Sequence, residues 1–219
     1  MRRVGALLGL FFLVACNRAP ADVSFRLSFD TEDATLREEL VRASVRVMER
    51  RASRVDATVE DTSVRYEGND AIIDLTLPSI AADVLRDELG RPFQFDIVRH
   101  ISDDTTGSGG IVIEGQGTFV ETGLTEEHIS WVEWAEDGTG KGAARIALTP
   151  DGQALMKAIA AEHGDAILGI LVRGVLMSKT RAEGIGEEIV ILGIPNPDFA
   201  QIFADDVNVG LHVTFHPVP

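Results

Sequence analysis

Beyond the N-terminal segment, the chain starts with a strand pattern followed by a helix pattern. Val23, Phe25, Leu27 and Phe29 alternate with polar residues, and this period of two predicts a half-buried β-strand. From residue 36 to residue 55 apolar residues recur at helical spacing, while arginines and glutamates fill the other face. This second pattern predicts an amphipathic helix.

Two further strands, a short helix and another strand follow. The predicted elements are strands at 62–66 and 71–77, a helix at 80–89 and a strand from Phe93 to Arg99. Gly68-Asn69-Asp70 is typical of a hairpin turn between the first two of these strands. The order is β-α-β-β-α-β, the split β-α-β arrangement, and it predicts a first subdomain at 23–101.

The second half repeats a similar order of elements. Strands are predicted at 111–120, 129–135, 144–148, 166–171, 174–177, 188–192 and 211–215. Thr149 and Pro150 begin a helix to about Glu162, because threonine is a good cap and proline a favoured first residue. Asn196 begins another helix to about Asp205. The predicted fold class is α+β, with two ferredoxin-like, split β-α-β subdomains and mixed antiparallel sheets.

The N-terminus has the pattern of a signal peptide. Arginines at 2 and 3 precede an uncharged apolar run from 4 to 14, which is shorter than the about 20 residues of a spanning helix. The run ends in a Leu-Val-Ala-Cys motif that resembles the lipobox of bacterial lipoproteins. Cys16 is the only cysteine in the chain, so we expect it to carry a diacylglyceryl group. An ordinary secretory signal with a chance cysteine is the alternative.

These patterns give a domain plan and a location. We expect a signal peptide at 1–15, a tether at 16–22, the first subdomain at 23–101, a linker at 102–121 and the second subdomain at 122–219. The anchored protein would face the periplasm or the cell exterior. Asn17 follows the cysteine, and the absence of aspartate there favours the outer membrane.

The charge of the chain excludes one class of partner. It has 20 basic and 35 acidic residues and a net charge of −15. Such a surface is repelled by nucleic acid and by anionic lipid headgroups. We therefore expect no nucleic-acid binding.

The sequence contains no convincing catalytic or metal site. His212 and His216 are predicted to flank a strand, where this spacing separates them by about 13 Å. Residues 103–106 and 205–208 are acidic, but both lack the ligand spacing of a calcium loop and are interpreted as solvated loops. The glycines at 107–110 lack the Gly-Lys-Ser/Thr of a phosphate-binding loop. We expect no cofactor, no metal and no enzymatic activity.

Short motifs along most of the mature chain resemble the first periplasmic domain of the SecD and SecDF protein-export family. The matching segments, in chain order, are the basic helix end at 50–56, the strand at 69–78, the strand at 93–98, Thr122-Gly123-Leu124-Thr125, the strand and helix start at 144–156, and the hairpin at 167–178. The resemblance covers roughly residues 23–219. It implies a base and a head, with the last strand returning to the base.

Three departures from the family limit what the resemblance implies. Thr58 stands near the position of a family glycine, and Lys179-Thr180 replace an Ala-Pro pair. In the family, proton coupling belongs to transmembrane helices, and the sequence after the signal peptide predicts none. The resemblance therefore implies the fold and a polypeptide-binding head, without the motor.

The leading functional prediction is a non-enzymatic lipoprotein that binds an exported polypeptide between head and base. The residues predicted to contact it are Trp131, Trp134, Ile170, Val172 and Val175. The strand at 167–172 is predicted to offer edge pairing, which accepts many sequences because the backbone makes the bonds. The alternative is a structural or regulatory lipoprotein that docks on one folded partner, such as a Sec component.

Overall fold

The computed structural model describes residues 20–55, 57–102, 110–164, 166–181 and 188–218. The elements are β1 (Pro20–Phe29), α1 (Ala34–Ser53), β2 (Asp61–Glu67), β3 (Asp70–Pro78), α2 (Ser79–Gly90), β4 (Phe95–Ser102), β5 (Ile111–Ile113), β6 (Gly117–Thr125), a short 3-10 helix (Glu126–His128), β7 (Ile129–Glu136), β8 (Gly142–Leu148), α3 (Pro150–Glu162), β9 (Ile167–Val172), β10 (Val175–Arg181), β11 (Glu188–Ile194), α4 (Pro197–His212) and β12 (Val213–Val218). The predicted signal peptide, Cys16 and the acidic residues 103–106 lie outside the described residues, as do residues 107–109 of the glycine-rich stretch.

The first layer, called the base here, is one antiparallel sheet with the order β12-β1-β3-β2 and the helices α1 and α2. This is the strand order of the split β-α-β fold, with β12 as its fourth strand. Alternate residues of β1, including Phe25 and Leu27, enter a core shared with Leu40 and Met48 of α1 and Leu85 of α2. The pattern of period two in β1 and the apolar face of α1 therefore meet as predicted.

The rest of the chain, called the head here, contains two antiparallel sheets. One has the order β10-β9-β4-β6-β5 and the other the order β11-β8-β7. Both contribute side chains to a second core with α3 and α4, including Ile97, Ile146, Met156, Ile170 and Phe203. The α+β class, with helices packed on antiparallel sheets, is confirmed.

The strand predicted to complete the first subdomain lies in the head. β4 pairs with β6 on one side and β9 on the other, whereas β12 pairs with β1, placing Phe215 opposite Leu27. The alternation of apolar residues in β4 fits either sheet, because periodicity does not report the partner of a strand. The last strand does return to the base, as the resemblance implies.

The segment between 110 and 125 also differs from its prediction. Residues 111–113 and 117–125 form β5 and β6, which pair as a hairpin. Gly115 in the turn has a φ of +69°, a conformation that favours glycine. The described part of the predicted linker is therefore sheet, and the predicted single strand at 111–120 is two strands.

Helix α4 is longer than predicted and continues to His212. The sequence predicted its end near Asp205, and the residues beyond it include Asn208 and Gly210, which have low helix propensity. Tertiary packing overrides that propensity: Phe203 and Val207 enter the head core, and Val209 enters the base core. One helix thus belongs to both cores.

No helix among the described residues is long and apolar enough to cross a membrane.

Gly210 is expected to be intolerant of a side chain. A Cβ atom there would overlap the ring of Phe93, whereas a Cβ atom at Gly90, at the end of α2, would meet nothing. Gly210→Ala should lower the free energy of unfolding by about 1–3 kcal/mol through overpacking. Gly90→Ala, the matched control, should leave it unchanged or slightly higher. Urea denaturation measures both, and equal stability of the two variants would contradict this packing.

Candidate functional site

A groove runs between the base and the head. Its volume is about 570 Å³, and it is bounded by α1 on one side, β7 on the other and α4 behind. The residues that line it are Leu36, Glu39, Leu40, Arg42, Ala43 and Arg46 of α1, Trp131, Val132, Glu133 and Trp134 of β7, and Gln201, Ala204, Asp205 and Asn208 of α4. Apolar surface and charged groups therefore alternate along its walls.

The two tryptophans predicted to contact a polypeptide both lie at this groove, but they differ in exposure. Trp134 is 44% exposed. Trp131 is half-buried, packs against the base core and stacks on the ring of His212 with a centroid distance of 5.3 Å. Trp134 is therefore available to a ligand, whereas Trp131 mainly joins head to base.

His212 holds the same junction together. Its Nδ1 lies 2.9 Å from the Asp30 carboxylate and its Nε2 lies 3.0 Å from the Ser130 carbonyl oxygen. Both neighbours are acceptors, so both hydrogen bonds form only when each ring nitrogen carries a proton. His212 ends α4 and directly precedes β12, so it flanks a strand as predicted, whereas His216 lies within that strand. His216 lies on β12 opposite Arg26.

Asp205 is a buried carboxylate that fastens α4 to α1. It is 5% exposed and accepts two hydrogen bonds from Arg46, at 2.8 Å and 2.7 Å, and a third from Arg50 at 3.2 Å. Arg50 also bonds Asp206 at 3.3 Å. The hydrogen bond to Asp205 raises the pKa of Arg46, an effect partly opposed by burial.

The interpretation of residues 205–208 as a solvated acidic loop is wrong. The segment is helical, because α4 continues through it, and its first carboxylate is neutralised by two arginines rather than by water. In the parts of the chain that the structure describes, no group of three or more His, Cys, Asp or Glu side chains could hold a metal ion.

Asn208 is the site residue whose role the sequence reasoning missed. Its side chain is buried, accepts a hydrogen bond from the Val132 amide at 2.8 Å and donates one to the Val132 carbonyl oxygen at 2.7 Å. The amide side chain therefore takes the place of a neighbouring strand at that point of β7. Asn208 lies four residues from both Ala204 and His212, which places the three on one face of a helix. This spacing is the one sequence feature that could have indicated its role.

The other three predicted contact residues lie away from the groove, in the five-stranded sheet. Ile170 and Val172 are buried, at 0% and 9% exposure, so their side chains are not available at the surface. β9 has β10 on one side and β4 on the other, so the prediction of edge pairing at 167–172 is wrong. Val175, which is 62% exposed, lies on the edge strand β10.

Comparison with known proteins supports the fold. No family model and no curated protein matches the chain. The crystal structure of SecDF, a translocon-associated membrane protein from Thermus thermophilus, matches 91% of this chain and 30% of its own, with a TM-score of 0.54 and 16% identity. A structure of SecDF in a super-membrane-facing form matches 92% of this chain and 30% of its own, with a TM-score of 0.47 and 15% identity. A chain from a study of SecDF as a membrane component that enhances protein export matches 90% of this chain and 98% of its own, with a TM-score of 0.47 and 16% identity.

Of these three matches, only the Thermus thermophilus structure has a TM-score above 0.5. At 16% identity this similarity shows the fold alone. The fold that the sequence resemblance implied is confirmed over nearly all of the described residues. This chain spans about a third of the SecDF chain it matches, with 30% covered. The groove lies within the matched region.

Removal of the Asp205 carboxylate should loosen α4 from α1. Asp205→Asn leaves Arg46 without its anion and Arg50 with Asp206 alone, and we expect a loss of about 1–3 kcal/mol in the free energy of unfolding, because the arginines keep partial access to water. Glu38→Gln, which removes the exposed pair with Arg42, is the control and should cost at most about 0.5 kcal/mol. Chemical denaturation of both variants tests this, and equal losses would contradict an anchoring role.

Proposed function

We propose that this protein is a non-enzymatic polypeptide-binding domain that acts in connection with protein export. It faces the periplasm or the cell exterior and is held at a membrane through a lipid on Cys16, with the outer membrane favoured. The polypeptide lies in the groove between α1 and β7, with Trp134 as its main contact. Exported chains and Sec components are its partners.

The exposure of Trp134 within the groove is the observation that carries the proposal. An aromatic side chain that is 44% exposed beside Leu36 and Ala43 offers apolar contact to many sequences. Aromatic residues bury a large area for little loss of side-chain freedom, so they bind partners of varied sequence. The SecDF fold supports the export context, because SecDF is a translocon-associated membrane protein.

Several charged groups of the groove are held in ion pairs within the protein. Asp205 is paired with Arg46 and Arg50, and Arg42 is paired with Glu38 at 2.7 Å. Ion pairs of this kind hold helices in position. In the described part of the chain, none of these side chains lies beside a nucleophile that it could activate. Among the groove residues that the structure describes, no nucleophile lies beside a base.

Photo-crosslinking in cells tests the proposal. A benzoylphenylalanine probe in place of Trp134 should form a ladder of adducts with many exported proteins. The ladder should disappear when secretion is blocked, because the ligand is then absent. The same probe at Val175, equally a surface position but outside the groove, is the matched control and should give few adducts. Mass spectrometry identifies the products.

Two outcomes of that experiment contradict the proposal. The ladder at Trp134 could persist unchanged when secretion is blocked, which would mean that the adducts are not exported chains. The probe at Val175 could give the same products as the probe at Trp134, which would mean that the groove has no special role.

An apolar patch favours a second candidate function, docking on one folded envelope protein. Met177, Leu192 and Phe199 are 48%, 73% and 56% exposed and line a second groove of about 310 Å³ beside β10 and β11. Exposed apolar side chains that cluster in this way are typical of protein interaction sites. This patch is separate from the groove between α1 and β7.

The docking function predicts a different crosslinking result. A probe at Leu192 should give one sharp adduct with a single protein, in a one-to-one complex. Phe199→Ser should weaken that adduct at least about tenfold, through loss of a buried aromatic contact, and leave adducts at Trp134 unchanged. A diffuse ladder at Leu192, or an adduct insensitive to Phe199→Ser, would contradict docking at this patch.

A further inference from the structure

Strand β7 has one partner and one open side. It is the last strand of the sheet β11-β8-β7, so only β8 bonds it. Backbone groups of successive residues in an antiparallel strand point alternately to the two sides. The Asp137 amide donates to the Lys141 carbonyl oxygen at 2.7 Å across the hairpin, which places the backbone groups of 133, 135 and 137 toward β8. Those of 132, 134 and 136 therefore point to the open side.

Side chains of α4 cover only the first part of that open side. Asn208 bonds both backbone groups of Val132, and His212 lies 3.0 Å from the carbonyl oxygen of Ser130. These bonds confirm the direction in which the backbone groups point. Farther along, at Trp134 and Glu136, no residue of the described chain bonds the outward amide and carbonyl groups. An unpaired edge of this kind is a template for another extended chain.

Helix α1 forms the opposite wall of the same groove. Leu36, Glu39 and Ala43 of α1 face β7 across the volume of about 570 Å³. Binding of an extended peptide to the open edge of a sheet, with backbone hydrogen bonds for affinity and side-chain pockets for specificity, is the mode of PDZ and PTB domains. The groove here provides an open strand edge with a helix beside it.

The charges along the groove indicate what the added segment carries. Arg42, Arg46 and Asp205 are neutralised within the protein, whereas Glu39 makes no ion pair among the described residues and Glu133 has only a contact of 3.9 Å with exposed Arg145. Glu133 and Trp134 project to opposite faces of the strand, because neighbouring side chains alternate. A segment with basic side chains on one face and apolar side chains on the other would therefore match both.

We infer that an extended polypeptide segment adds to the open edge of β7 at Trp134 and Glu136, with apolar side chains beside Trp134 and lysine or arginine beside Glu133. This inference rests on the proposed function and specifies its ligand and its binding mode. Asn208 ends the added strand, because its side chain already occupies the edge at Val132. The backbone supplies the bonds, so the site accepts many sequences with that alternation.

Backbone methylation of a peptide tests the inference. The probe is a short labelled peptide in which valine alternates with lysine, bound to the whole protein and followed by fluorescence anisotropy. Two further peptides carry N-methyl groups on all the valines or on all the lysines. Only one of the two sets of amides faces β7, so one methylated peptide should bind at least about tenfold more weakly and the other should bind as the parent does.

The outcomes separate this inference from the proposed function. Equal affinity of the two methylated peptides, both weakened or both retained, would overturn strand addition and leave the groove as a binding site. Failure of the unmethylated peptide to bind, together with a negative crosslinking result at Trp134, would remove the proposed function itself. A shift of the peptide register by one residue would turn the lysines toward Trp134 and the valines toward Glu133. Such a shift therefore cannot hide the difference between the two methylated peptides.

The charge preference has its own control. Glu133→Gln should weaken the lysine peptide and leave unchanged a peptide in which glutamine replaces each lysine. Asp83→Gln, on the exposed face of α2, carries the same loss of charge outside the groove and should affect neither peptide. An equal effect of both variants would mean that only the overall charge of the protein matters.

Discussion

The position of α4 depends on the carboxylate of Asp205, and the groove depends on the position of α4. A carboxylate that is 5% exposed is costly to bury without cationic partners, so Arg46 and Arg50 must stay beside it. Those arginines lie on α1 of the base, while Phe203 and Val207 of α4 lie in the core of the head. The ion pairs around this one buried carboxylate thus help to set the separation between α1 and β7.

The path of the chain strengthens this arrangement. The head is inserted between α2 and β12 of the base, so the chain crosses between the two layers before β4 and again after α4. The second crossing is continuous, because α4 ends at His212 and β12 begins at Val213. His212 adds the bonds to Asp30 and Ser130 at that point. Head and base therefore share covalent, ionic and aromatic contacts on one side of the groove.

Sequence reasoning predicts the elements of this protein better than their partners. Hydrophobic periodicity and helix-cap chemistry are local properties of the sequence. They are sufficient to predict β1, α1, the β2–β3 hairpin and the Thr149 cap of α3. The sheet that β4 joins and the length of α4 depend on contacts far apart in sequence, and local propensity argues against the observed helix.

The candidate site was predictable only in part. Both tryptophans of β7 were among the predicted contact residues, but which of them is exposed does not follow from the sequence. The buried state of Ile170 and Val172 depends on which strands flank β9. The roles of Asp205 and Asn208 arise from a helix continuing where the sequence suggests a loop. Their partners, Arg46 and Val132, are distant along the chain, and no spacing rule connects such positions.

Amide hydrogen exchange of the whole protein, with and without a saturating unfolded polypeptide, tests whether an extended chain adds to the open edge of β7. If an extended chain adds to β7, the amides of Trp134 and Glu136 should become strongly protected on binding. The amides of β2, an edge strand of the base sheet, should not change. Binding that leaves the exchange of the Trp134 and Glu136 amides unaltered would contradict strand addition at β7.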